Sequence, residues 1–406
     1  MVETRSALKR KAMEVLHSVP LEPATSHYLK TDEEMETERE FLRKYGGGFI
    51  RHPDYHRLLG GVTQLIREGA AEWAFGSDGL RSFYWELFTY ARYWCSQYSI
   101  SDIDVLSDNQ IRRLISSVDG FCVQMDWAQL RPILPPTAAD RFGEVLGELL
   151  IYLTVHQRLF ENPFWYFDGK EAPDDPDEDP KFGSKLKHLF DEFYKTNPTY
   201  GVLWKMQTQR LANSNNRHYG PNPEYGQYNA KRHEAALGGF ADDLLASKPF
   251  CWLLKELDTS ELATKRRNDL IDIFRKAVRT MIKCETWING QPVLRGIKEL
   301  GGIFHDRSSL VGLHTYCWRP RMDFWKGRKI LVVSRPGLVY VDSINGYSPD
   351  TSPRAKEIIG AEVLPMYILG DDDANQDKMV EDDTVVEEVD DKQDEDDEDY
   401  VQGRSN

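Results

Sequence analysis

The chain has no paired cysteines at short spacing. Its five cysteines, Cys95, Cys122, Cys251, Cys284 and Cys317, are far apart, and none forms a C-x-x-C pair. That spacing excludes a zinc ribbon and a thioredoxin-type redox site, and it points to free thiols in a reducing compartment. No apolar run approaches the length needed to span a bilayer. The first 20 residues lack the apolar stretch of a secretory signal. There is no Gly-x-Ser-x-Gly elbow and no His-Glu-x-x-His pair. Gly46-Gly47-Gly48 is followed by Phe49-Ile50, where a phosphate loop would need Lys and Ser or Thr, so it reads as a hinge. No repeat of 20 to 50 residues is visible. The chain is expected to be intracellular, cytoplasmic or nuclear, with no membrane segment, metal or cofactor.

What is present is an uneven distribution of charge. Residues 371 to 406 hold 17 Asp and Glu against Lys378, Lys392 and Arg404, a balance of −14 in a chain whose total is −15. The first 370 residues are therefore close to neutral. They also hold nearly all the aromatic residues, which supply a sizeable core. The acidic tail has little to bury beyond a few valines, so it is expected to be disordered.

The hydrophobic spacing is mainly that of helices. Leu80, Phe83, Tyr84, Leu87, Ala91, Trp94 and Tyr98 recur every three or four residues. Thr31 to Glu34 and Ser107 to Gln110 have the spacing of capping boxes, opening helices to Tyr45 and Val118. Further helices are expected over 138–160, 182–196, 200–212, 230–246 and 260–286. In the last, Leu262, Ile271, Phe274, Val278, Met281 and Ile282 form the expected apolar face. After residue 287 the pattern changes. Lys329 to Ser334 and Leu338 to Asp342 are β-branched runs about Arg335-Pro336-Gly337, which reads as a hairpin. Glu362 to Leu369 would add a third strand, with Pro365 placing it at an edge. The expected fold is mainly α: an irregular multi-helix array with a small C-terminal β-hairpin and a disordered acidic tail. Its parts would be a flexible segment 1–30, a helical body 31–286, a β-containing part 287–370 and the tail 371–406.

Several clusters invite chemistry. Carboxylates at Asp175, Asp177 and Asp179 resemble a calcium loop, but Pro180 replaces the required Gly and Leu186 the bidentate Glu, so a solvated loop is expected. His52 and His56 are four apart, but Pro53 interrupts the helix that would align them. The basic residues from Arg5 to Lys11 read as a short solvated helix more than as a targeting signal. Phe164-Trp165-Tyr166-Phe167-Asp168-Gly169 reads as core packing ahead of a turn. His305, His314 and Cys317 are the candidates for an enzymatic site, since a Cys–His pair can make a nucleophile. Arg319, Arg321, Lys326, Arg328 and Lys329, interleaved with Trp318, Phe324 and Trp325, are the candidate anion- or partner-binding residues. Lys265-Arg266-Arg267 is a second basic group.

Phe164 to Gly169, Trp204 with Arg210-Leu211, and Arg232 leading into an Ala-rich helix resemble a family of uncharacterised, mostly helical proteins of filamentous fungi. The resemblance covers residues 140 to 340. It implies an intracellular helical protein and assigns no site residues. The expected function is a non-enzymatic interaction or regulatory protein. Its helical body would bind protein partners, and its acidic tail would engage basic partners or its own basic segment. The alternatives are an enzyme with a pocket between the helices and the hairpin, and a nucleic-acid-associated protein using residues 318 to 329. Direct nucleic-acid binding is disfavoured by the overall acidity.

Overall fold

The computed structural model describes residues 35–37, 40, 77–170, 174–176, 178–219, 221–287, 291–306, 308–317, 322–342 and 354–368. The expected elements at Gly46 to Gly48 and at His52 and His56, the basic N-terminus and the acidic tail lie outside the described residues.

The fold is mainly α. Helix α1 (Ser77–Tyr98) buries the stripe read from its periodicity, including Leu80, Tyr84, Leu87, Ala91, Trp94 and Tyr98. Helix α2 (Asp108–Ser117) starts at the expected capping box, with Ser107 and Gln110 bonding each other's ends. Short helices α3 (Trp127–Leu130) and α4 (Pro136–Asp140) lead into α5 (Phe142–Val155), which a π-helical turn, His156–Phe160, extends. Helix α5 is apolar on nearly every side and is buried along most of its length, the mark of a central helix. A Cβ at Gly143 would lie 2.2 Å from the Ile100 carbonyl oxygen, so only glycine allows that close approach.

The remaining long helices are α6 (Phe182–Thr196), α7 (Pro198–Ala212), α8 (Glu224–Ala246) and α9 (Ser260–Trp287). Helix α1 packs on α5 and α9, α6 on α7, and α8 on α9. The buried face of α9 is turned from the expected one. Leu270, Ile273, Phe274, Ala277, Val278, Met281 and Cys284 are buried, Ile271 and Ile282 are partly buried, and Leu262 in the first turn is exposed. The aromatic cluster packs inward as expected: Phe164 and Tyr166 are buried, and Trp165 lies edge-on to Phe240 at 5.1 Å. The acidic loop after it ends in ion pairs, Glu178 with Arg232 and Asp179 with Lys185.

The C-terminal part is two three-stranded sheets. Strands β1 (Gln291–Arg295), β4 (Gly337–Asp342) and β5 (Arg354–Ile359) form an antiparallel sheet in the order β1-β4-β5. Strands β2 (Val311–Leu313), β6 (Ala361–Pro365) and β3 (Ile330–Arg335) form the other, in the order β2-β6-β3, with β2 parallel to β6.

Two expectations about these strands are corrected. The runs flanking Pro336 are strands, but they do not pair as a hairpin: β3 pairs with β6, and β4 with β1 and β5. A two-residue hairpin loop favours a positive φ at its first central position. Pro336 fixes a negative φ there, and Gly337 does not adopt the left-handed conformation. The chain instead steps from one sheet into the other. Strand β6 is also central and not an edge. Pro365 is its last residue, where its missing N–H interrupts no further ladder. Strand β3 rests on α5, which brings this sheet against the centre of the helical array. The described elements belong to one compact unit, which ends at Tyr367.

Candidate functional site

Charged residues inside the core mark the contact between α5 and the β2-β6-β3 sheet. Glu144 and Glu148 interrupt an otherwise apolar helix and are both buried. Glu362 and Arg335 sit opposite each other on β6 and β3 and are buried as well. Arg92 reaches in from α1 and His314 from the end of β2.

These groups close on one another. Arg92 grips Glu148 with two hydrogen bonds, Nε to Oε2 at 3.1 Å and Nη2 to Oε1 at 2.9 Å, and its Nη2 also meets Glu362. Arg335 Nη1 lies 2.6 Å from Glu362 Oε1. The Tyr152 hydroxyl, one helical turn from Glu148, donates to Glu148 Oε1 at 3.1 Å. His314 accepts the Tyr316 N–H on Nδ1 at 3.2 Å, which leaves its proton on Nε2, facing Glu148 Oε2 at 3.5 Å. Two guanidiniums thus face two carboxylates beside the His314 ring. Burial pushes the Glu148 carboxyl up, but Arg92 and His314 outweigh it and hold it down at about 2. Burial also raises Glu362, and Arg335 and Arg92 reverse the direction, so it too is lowered. One turn earlier, Glu144 accepts from Ser101 Oγ at 2.6 Å and from the Tyr316 hydroxyl at 2.7 Å.

Oxygens of Glu148 and Glu362 and a nitrogen of His314 lie within 4.8 Å of one another, the donor set of a metal site. The chemistry of the set argues against a metal. Arg92 bridges the two carboxylates, so fixed positive charge stands where a cation would bind. A ligating histidine also needs its lone pair toward the metal and its N–H on the far nitrogen, and the Tyr316 hydrogen bond imposes the reverse. The arrangement acts as an electrostatic clamp between α1, α5 and the sheet.

The candidates read from the sequence fall in three places. His314 belongs to the clamp. Cys317 is buried close by, but its Sγ faces the Val363 carbonyl at 3.9 Å, while the two ring nitrogens of His314 are directed to Glu148 and the Tyr316 N–H. Burial raises the Cys317 thiol well above its ordinary value, away from the thiolate a nucleophile needs. His305 is half-buried in the loop before β2.

Among the basic candidates, Arg328 folds over Phe324, its guanidinium 4.3 Å from the ring centre, and donates from Nε to the Phe324 carbonyl at 2.8 Å. Lys326 is exposed, 3.6 Å from Asp306, and Lys329 is exposed. Trp325 is buried and donates to the Cys317 carbonyl at 3.1 Å, so this ring packs the core and offers no stacking face. Arg319 and Arg321 lie outside the described residues. In the second basic group, Lys265 pairs with Asp269 at 2.9 Å and Arg267 with Asp242.

Arg92, Glu148, Arg335 and Glu362 are not among the candidate site residues read from the sequence. Their signal was there: isolated charges inside apolar runs, most plainly Glu144 and Glu148 within Phe142–Val155. No helix among the described residues is long and apolar enough to cross a membrane. No protein-family model, no curated protein and no solved structure matches the chain, so the resemblance read over residues 140 to 340 gains no matching family.

Proposed function

We propose that the chain is a non-enzymatic interaction protein that docks a basic protein partner on the helical pair α6–α7, with the acidic tail drawing that partner in. The observation that carries this reading is an apolar stripe left on the outside of the pair. Leu189 and Phe193, one turn apart on α6, are 40% and 39% exposed, and Tyr200 on α7 is 48% exposed. Phe193 lies edge-on to Trp204 at 5.4 Å, and Trp204 is one turn from Tyr200, so the stripe is continuous across the two helices. Aromatic and aliphatic groups of this kind anchor protein interfaces.

The charges beside the stripe are balanced. Lys185 pairs with Asp179, Lys187 with Asp191 and Lys195 with Glu192. Selection for a basic partner would therefore come from the −14 charge of residues 371 to 406. The test compares capture from native lysate by the full chain, Phe193→Asp and a truncation ending at Gly370. We expect Phe193→Asp to lose a set of proteins with basic isoelectric points, and the truncation to lose the same set at physiological salt. An unchanged set with Phe193→Asp, or a lost set that is acidic, would refute the reading.

A further inference from the structure

A second buried ion pair lies beneath a cleft, and nothing in the docking reading uses it. Lys205 on α7 is 1% exposed, and its Nζ lies 2.5 Å from Glu285 Oε2 on α9, itself fully buried. The Tyr340 hydroxyl donates to the other oxygen of Glu285 at 2.9 Å. The rings of Phe190 and Tyr340 flank the ammonium at 5.5 and 6.0 Å. A buried ion pair contributes little net stability, because desolvation offsets the attraction. A lysine kept in the core beside a cavity therefore suggests a use other than stability.

That cavity is a cleft of about 510 Å³ between the end of α5, helix α6 and strand β1. It is within the size range of small-molecule sites, roughly 300–1,000 Å³. Lys205 lines it, but Glu285 does not; Lys187 lines it, but its partner Asp191 does not. Both lysines thus reach the wall while their acids do not, and each ammonium is bonded to its own carboxylate, Lys187 to Asp191 at 2.6 and 2.8 Å and Lys205 to Glu285 at 2.5 Å. Further donors join them. Asn162 spends its Oδ1 on the Phe164 N–H at 3.1 Å, which leaves its amide NH₂ to offer. Ser184 brings a hydroxyl from the first turn of α6, where the helix dipole favours negative charge. The one carboxylate in the lining, Glu161, is held by His156 at 3.6 Å. Phe160, Pro163 and Pro292 supply an apolar side.

We propose that this cleft binds a small organic oxyanion, its carboxylate or phosphate head on the lysine, serine and asparagine donors and its body against the apolar side. The buried ammonium acts on the head across a medium of low dielectric, where a fixed charge counts for more than at the surface. This site shares Lys187 with the flank of the docking stripe but uses neither the exposed Leu189, Phe193 and Tyr200 nor residues 371 to 406.

The test is calorimetric titration of the full-length chain with benzoate, phenyl phosphate and the neutral isostere benzamide. We expect saturable one-to-one binding of at least one oxyanion, with benzamide failing to saturate; the preferred oxyanion identifies the head group. Lys187→Ala, at a half-buried rim position, should weaken binding about tenfold or more, as expected for loss of a charged hydrogen bond. Lys205→Met combined with Glu285→Gln removes both buried charges together and should abolish binding. Should that pair of changes unfold the chain, Lys187→Ala decides alone. The proposal is overturned if neither oxyanion saturates at millimolar concentration, if benzamide binds as well, or if Lys187→Ala binds unchanged.

Discussion

Replacing Glu148 with glutamine should cost this protein a large part of its stability. The substitution keeps the shape of the side chain and removes its charge. In the folded chain Glu148 accepts two hydrogen bonds from Arg92 and one from Tyr152, and it faces His314, all at 2% side-chain exposure. Glutamine can keep one acceptor oxygen. It leaves Arg92 and Arg335 facing Glu362 as the remaining carboxylate of the clamp. Breaking a buried pair in this way costs about 3–5 kcal/mol. The acid limb gives a second figure. Glu148 is lowered from 4.5 to about 2. At about 1.4 kcal/mol per unit, that is on the order of 3 kcal/mol. Because the folded value is the depressed one, this stability is fully present above about pH 4.5 and is lost as pH falls toward 2. Urea unfolding of wild type and Glu148→Gln at neutral pH, and at steps down to pH 3, measures both effects. We expect the variant to be weaker by about 3 kcal/mol or more at neutral pH and to lose less on acidification. A difference below about 1 kcal/mol, with parallel acid limbs, would refute the clamp.

Three further outcomes follow from particular contacts. A Cβ on Gly183 would lie 2.4 Å from the Phe164 carbonyl oxygen, so Gly183→Ala should lower stability by about 1–3 kcal/mol in a thermal or urea melt. Among the thiols, half-buried Cys251 should react first with a thiol reagent, and Cys95, Cys122, Cys284 and Cys317 only on unfolding; rapid labelling of Cys317 in the native chain would contradict its burial. The Arg267–Asp242 pair is at the surface, so Arg267→Ala should change stability by less than about 1 kcal/mol, and a larger loss would mean the pair is not screened as its exposure implies.

The helical part of the fold was legible because burial imposes a 3.6-residue spacing on the chain. Helix α1 and the helices over 182–196 and 260–286 follow it closely. On α9, Leu262 misled because a leucine in an exposed first turn carries no mark of its exposure. The β part was legible as strands and illegible as pairing. Pro336-Gly337 looks like a turn in composition, yet the fixed φ of proline suits a chain that continues into a different sheet. Pro365 looks like an edge signal, yet at a strand's last position it is compatible with the centre of a sheet.

The clamp was harder to read. Arg92 and Glu362 are 270 positions apart, and only the fold brings them together. Each of its members, taken singly, is an ordinary charged residue. What the sequence did offer was Glu144 and Glu148 inside a helix apolar on all sides, where a charge must have a partner. His314 is a sequence candidate for an enzymatic site, and the structure gives its two nitrogens to Glu148 and to a backbone N–H.

The most direct test of the two-part recognition is kinetic. Association and dissociation of the captured basic partner would be measured on an immobilised surface for the full chain, Phe193→Asp and the truncation at Gly370, across a salt series. Steering charges act on association rates and anchors on lifetimes. We expect the truncation to slow association and flatten its salt dependence while the lifetime of the complex holds. Phe193→Asp should shorten the lifetime and leave the salt dependence of association in place. A truncation that changes only the lifetime, or a Phe193→Asp complex as long-lived as wild type, would contradict the account.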